Sequence, residues 1–307
     1  MINNQQIVEF ISAMGYKPSS NNSDYYIKRY MCGYEICVDF KKEQICYIDT
    51  KSSEQIILGD TTTSNFKNSE NFVVLECVNR LLEKGYAPNS IVLENKWGLG
   101  HKEKGKLDIL VLKDAHAYLM IECKTWGNEF DKEESRMYKN GGQLFTYFNQ
   151  DKNAEYLCLY TSHFNNGSIE YKSDIVKITD ELRQLANVEE IFNRWNKQFF
   201  YNGIFENDIL PYMIQAKALL KKDLQEIKID DSKKIYNQFL EILRHNVVSD
   251  KPNAFNKIFN LFVCKVYDED NTTDDEELSF QWKEGIDTYE IFIDRLNILY
   301  KKGMDNY

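Results

Sequence analysis

KLDILVLKDAHAYLMIECK, residues 106–124, is the stretch that decides the fold class. Its two apolar runs, 107–112 and 117–124, are too short for core helices and are separated by only Lys113 to His116, a length suited to a β-hairpin. If the chain turns about residues 114–115, Asp108 lies opposite residue 121 or 122. Period-two alternation then places Glu122 and Lys124 on one strand face. These charges interrupt segments otherwise fit for a core. Burying them unpaired would be costly, so pairing or metal binding is the expected compensation.

Working outward, Phe72 to Gly85 has helical spacing ended by glycine, and SIVLE at 90–94 reads as a strand. A polar stretch covers 127–136, helical spacing covers 139–149, and EYLCLYTS at 155–162 reads as a buried strand. Helix, three strands, helix and strand make an α/β domain with a mixed central sheet, placed at 59–200. Ahead of it, Ile7, Phe10, Ile11 and Met14 form a helical stripe closed by Gly15. The runs YYIKRY (25–30), YEICVDF (34–40) and QICYI (44–48) follow as short strands, giving a small α+β module at 1–58. Beyond Asp180 helical spacing dominates, at 181–197, 206–224, 231–244, 252–268 and 287–301. An all-helical region is therefore expected over 201–307, with the acidic run DEDNTTDDEE (268–277) as a solvated loop.

The chain has 307 residues, 43% of them hydrophobic, with only four prolines and fourteen glycines, so it should be folded almost throughout. Its apolar runs are far short of a bilayer span, and residues 1–16 lack a secretory pattern, so a cytoplasmic location and no membrane partner are expected. The seven cysteines read as mostly core thiols. A net charge of −10 excludes a surface that attracts nucleic acid everywhere, and leaves room for a local site. The loop KWGLGHKEKGK (96–106) supplies one: Lys102, Lys104 and Lys106 are candidate phosphate contacts just ahead of Asp108. The four histidines lack zinc-ligand spacing, and no Gly-rich nucleotide cradle occurs, which excludes an ATP motor.

Across a hairpin ladder, Asp108 and Glu122 can hold one hard, oxygen-preferring cation, with the Cys123 carbonyl as a further ligand. Lys124 would then orient a water or stabilise developing negative charge. Gln143 and Tyr147, four residues apart, share a helix face.

The runs ENFVVLECVNRLLEKGY (70–86), SIVLENKW (90–97), KLDILVL (106–112), LMIECK (119–124) and GGQLFTYF (141–148), in that order, resemble the PD-(D/E)-x-K nucleases. The likeness is specifically to the amino-terminal domain of type I and related restriction enzymes. The resemblance covers about 68–162 and implies a restriction-endonuclease-like fold cutting double-stranded DNA with Mg²⁺, for which Mn²⁺ can substitute. Asp108 is by this resemblance the metal-binding aspartate, Glu122 and Lys124 the E-x-K pair, and Gln143 with Tyr147 the Q-x-x-x-Y element that meets DNA. Glu70 corresponds to the helix carboxylate, with Glu76 the alternative on the same helix. Leu107 departs from the proline of the motif's name. A double-strand break implies a second copy or sequential cuts.

FNKIFNLFVCKVYDED (255–270), ELSFQW (277–282) and LNILYKKGM (296–304) resemble the amino-terminal helical part of N6-adenine DNA methyltransferases. That implies a fused restriction-modification enzyme of which this chain is a fragment, with S-adenosylmethionine bound only in the longer parent. The competing expectations are a noncatalytic DNA-interaction or assembly module with a decayed nuclease fold, and a repair or junction nuclease.

Overall fold

The computed structural model describes residues 4–97, 105–224, 251–283 and 287–306. They divide into two compact units, 1–215 and 216–307. The first contains both the amino-terminal module read at 1–58 and the α/β domain read at 59–200.

The first unit begins with α1 (Asn4–Ala13), which buries Ile7 and Ile11. Strands β1 (Lys17–Ser19), β2 (Asn22–Arg29), β3 (Glu35–Asp39) and β4 (Gln44–Cys46) follow as a four-stranded antiparallel meander. After β5 (Ile57–Leu58), the chain forms α2 (Glu70–Lys84), whose carboxyl end is closed by Gly85 in the left-handed region, φ 100°. This is the conformation that glycine adopts without a Cβ penalty. Next come β6 (Ile91–Lys96), β7 (Lys106–Lys113) and β8 (His116–Cys123). Helices α3 (Asn128–Asn140) and α4 (Gly142–Gln150), strands β9 (Tyr156–Asn165) and β10 (Ser168–Lys177), short helices α5 (Asp180–Arg183) and α6 (Val188–Arg194), and β11 (Phe200–Tyr201) complete the domain.

The large sheet is open and seven-stranded, in the order β11-β10-β9-β8-β7-β6-β5. It is mixed, with β8 parallel to β9 and β5 parallel to β6. Alternation divides its side chains between two layers. Ile109, Val111, Ile121 and Cys123 pack with Val74, Val78 and Leu81 of α2 and with the small-sheet core. Leu110, Met120, Leu157 and Leu159 pack with Leu144, Phe145 and Phe148 of α4 and with Phe130 and Met137 of α3. Asp108 and Glu122 have the parity of Leu110 and Met120, so they continue the second face toward the sheet end.

Four readings need correction. The polar stretch at 127–136 lies in α3. Its mean hydropathy is low, but Phe130, Glu133 and Met137 at helical spacing are buried beneath it. The span 181–197 is broken into α5 and α6. The span 206–224 is irregular apart from one 3₁₀ turn at Lys221–Asp223. Strand β10 was not anticipated, because SIEYKSDIVK mixes charges into a ladder paired with β9 from Ser168 to Lys177.

The second unit contains, among its described residues, two long helices, α7 (Lys251–Asn271) and α8 (Tyr289–Asn306), while 216–220 and 272–283 are irregular and meet in an antiparallel bridge between Leu220 and Glu277. A Cβ at Gly303 would come within 2.6 Å of Val263 Cγ1, so the absent side chain sets how closely these helices approach. The acidic run is only partly a loop: its first four residues end α7, where buried Asp268 accepts from the backbone N–H groups of Ser279 and Phe280 at 2.8 and 2.7 Å. The helix read at 231–244 lies outside the described residues. Among those described, no helix is long and apolar enough to cross a membrane.

Candidate functional site

The β7–β8 hairpin turns through Asp114 and Ala115, both at positive φ (51° and 64°). That is the pattern of a two-residue turn whose twist matches the strands. Next to the turn Lys113 pairs with His116 and Leu112 with Ala117; the register then shifts by one residue at a bulge, so that Val111 pairs with Leu119, Leu110 with Met120 and Ile109 with Ile121. One step on, Asp108 faces Glu122, and Asp108 Oδ2 accepts from the Cys123 backbone N–H at 2.8 Å.

Lys124 follows β8. Its Nζ donates to Glu122 Oε1 at 2.5 Å and to the Cys123 carbonyl at 3.0 Å. It also lies 3.6 Å from Glu70 Oε2, at the start of α2. The structure thus brings Glu70, Asp108, Glu122, Cys123 and Lys124 together from three elements. Glu76 goes elsewhere: it is buried, accepts from Tyr160 Oη at 2.6 Å and pairs with Arg80.

Burial dominates the electrostatics. It pushes the Asp108 carboxyl up to about 7, against the pull of the Lys124 ammonium and with Glu70 adding repulsion. Burial, reinforced by Asp108, holds Glu122 well above the ordinary carboxylate range. For Lys124, burial works against the charged form, but Glu122, Asp108 and Glu70 outweigh it and raise the ammonium above its usual value. Both buried carboxyls therefore resist ionising unless further positive charge is supplied.

Glu122 Oε2 is buried with no hydrogen-bond partner among the described residues. Such an orphaned oxygen beside a second desolvated carboxylate and a backbone carbonyl fits a hard divalent cation. Asp108, Glu122 and the Cys123 carbonyl would be its protein ligands. Among the described residues no group of three or more His, Cys, Asp and Glu side chains gathers as a cage. Water and substrate oxygens would thus complete the shell, as is usual for Mg²⁺.

Gln143 and Tyr147 lie on α4, with Gln143 Nε2 donating to Tyr147 Oη at 3.3 Å. Tyr147 Oη in turn donates to the Lys106 carbonyl at 3.0 Å, which ties α4 to β7 two residues before Asp108. Among the described bonds, the Gln143 amide reaches Tyr147 and does not reach Lys124.

Lys102 and Lys104 lie outside the described residues. Lys106 is engaged within the fold: its ammonium pairs with Glu94 and meets Thr62 Oγ1. Glu94 went unnoticed in the sequence. It is fully buried, has φ 55°, and is skipped in the ladder, which pairs Leu93 with Ile109 and Asn95 with Leu107. The register is the same on either side of it, so Glu94 is the residue opposite Asp108, with its backbone turned to positive φ. Its carboxylate also accepts from Thr62 Oγ1 and, at 3.2 Å, from the Thr63 N–H. A carboxylate ending the apolar run IVLE was the available cue, the same one that marked Asp108. Glu94→Ala should cost about 3 kcal/mol, because it strands Lys106 and the Thr63 N–H. Lys106→Gln should likewise lower the melting temperature and, because the ammonium is already paired with Glu94, leave the salt dependence of any DNA binding nearly unchanged. Denaturant titration and binding measured across salt concentrations check the pair.

The chain matches no protein-family model, and no curated protein matches it significantly.

Proposed function

We propose that the chain is a metal-dependent endonuclease acting on unmodified double-stranded DNA, the restriction part of a restriction-modification enzyme. The observation that carries this reading is the convergence of two desolvated carboxylates, an orphaned carboxylate oxygen and a lysine at the open end of one hairpin. A purely structural ion pair has no use for the second carboxylate, whose burial beside the first is destabilising. The order of motifs from Glu70 to Tyr147 supports the same reading, as does a mixed sheet flanked by helices.

Asp108 and Glu122 would hold Mg²⁺ with the Cys123 carbonyl; when bound, the ion supplies charge neutralisation at phosphate and a more acidic water. Lys124 places a fixed cation where negative charge grows on the phosphoryl oxygens, and it can hold a water by hydrogen bond. Glu70 braces that ammonium from α2. Tyr147 fixes the start of β7 through Lys106. Linkage to an adenine methyltransferase, and with it S-adenosylmethionine, rests on the motifs carried by α7, α8 and the segment between them.

The test is cleavage of unmethylated duplex DNA with Mg²⁺ or Mn²⁺. Cutting that stops on chelation supports the reading. DNA binding without cutting under either metal favours the noncatalytic module.

A further inference from the structure

Beside Tyr147 lies a cavity of about 310 Å³ lined by Trp97, Arg136, Asn140, Gln143, Thr146 and Gln150. The Trp97 and Tyr147 rings stack, with centroids 5.8 Å apart and planes 25° apart. The backbone at Gly105 lies so close to the tyrosine ring that a Cβ there would stand 2.7 Å from Cε1. Beside this aromatic pair the lining carries three side-chain amides, Asn140, Gln143 and Gln150, and the Thr146 hydroxyl.

The chemistry selects the occupant. A free anion is disfavoured. The start of α4 points its first N–H groups at this region, but Gly142 N–H already donates to Asn140 Oδ1 at 3.1 Å, and Gln143 N–H to Glu133 Oε1 at 2.8 Å. Glu133, a buried carboxylate, also lines the cavity and would repel phosphate. A neutral, flat, hydrogen-bonding ring suffers neither penalty. Aromatic faces stack on any base, and amides offer both donors and acceptors to its edge. Arg136 stands at the rim, its side chain 63% exposed and one nitrogen held by Glu133 at 3.1 Å.

We propose that this cavity receives one unstacked base of the DNA strand engaged at the carboxylate site. The inference rests on the nuclease reading and adds a nucleobase subsite formed by Trp97, Asn140, Gln143 and Gln150. Tyr147 joins the two, since its ring forms part of the cavity and its hydroxyl holds the strand that carries Asp108.

The experiment measures binding of the 307-residue chain, in chelator, to a mixed-sequence single-stranded oligonucleotide and to an all-abasic backbone of the same length. The abasic strand keeps the phosphates and removes the bases, so the affinity ratio isolates base recognition and needs no defined register. For wild type this ratio should exceed that of Trp97→Ala by about 5- to 150-fold, the range of one base–aromatic stack. Trp97→Phe should keep most of it. Equal ratios in wild type and Trp97→Ala overturn the proposal, and so does a Phe variant that behaves like Ala. Should Trp97→Ala fail to fold, Gln150→Ala and the wild-type ratio decide, because a wild-type ratio near one is itself contrary. A duplex cleavage assay separates the two readings. Cleavage with equal ratios removes the pocket alone, a base-dependent ratio without cleavage removes the nuclease alone, and no DNA binding removes both.

Discussion

Lys124→Ala should lower the rate of DNA cleavage by about 10²–10³-fold, the usual consequence of removing one preorganised group that meets charge developing in a transition state. Metal and ground-state DNA affinity should change far less, since the benefit is realised mainly as the reaction proceeds. The same ammonium is structurally engaged: it contacts Glu122 and the Cys123 carbonyl, with Glu70 nearby. Breaking a buried pair by removing one partner costs about 3–5 kcal/mol when the remaining charge cannot escape. Here Glu122 can escape by taking a proton, which its burial already favours, so the stability loss should fall below that figure. Rate per folded molecule is therefore the discriminating quantity, measured alongside thermal denaturation of both proteins. Undiminished cleavage by the variant would defeat the catalytic assignment. A large fall in melting temperature with an unchanged rate per folded molecule would make Lys124 a structural residue.

What could be read from the chain depended on how local the determining physics was. The hairpin was legible because a four-residue gap between two apolar runs leaves few turns; counting from the turn left Asp108 opposite 121 or 122, and the register shift between Val111 and Leu112, which the sequence does not signal, selects Glu122. Helix α2 was legible from its stripe and closing glycine. Helix α3 was not, since charged residues cover it and only Phe130, Glu133 and Met137 face the core. The segment 206–224 has helical spacing but is drawn into other contacts, such as the Tyr212 N–H donating to Tyr86 Oη and the Tyr86–Tyr212 ring pair. Tertiary packing outweighs a weak periodic signal there. Within the site, spacing alone could not choose between Glu70 and Glu76, because the choice depends on where α2 ends relative to β8. Glu94 was missed for a related reason: its contacts come from residues 62, 63 and 106, which spacing along the strand does not reveal.

Asp108→Asn should stabilise the metal-free protein at neutral and higher pH while removing its response to Mg²⁺. The sign follows from linkage. The folded carboxyl is pushed by burial from an ordinary 3.8 up to about 7, so between those values the native state binds more protons than the unfolded one. The stability this group contributes is fully present below about pH 4 and is lost as pH rises through 7. The shift corresponds to about 4 kcal/mol at most, and coupling to Glu122 and Lys124 makes about 2–4 kcal/mol the expected gain for the asparagine variant at pH 8. Asparagine keeps an oxygen to accept the Cys123 N–H, so the hydrogen bond survives while the buried charge goes. A bound divalent cation offsets the same charge, and it would raise wild-type stability by about 2.7 kcal/mol at a concentration 100 times its dissociation constant. That gain should grow from pH 5 to pH 8 as the carboxyl ionises, and should be nearly absent in the variant. Melting temperatures of both proteins, with and without Mg²⁺ across that range, provide the measurement. If the variant is no more stable than wild type at pH 8 without metal, Asp108 is not a destabilising buried charge. If Mg²⁺ stabilises both equally, the ion binds elsewhere, and the ligand assignment fails with it.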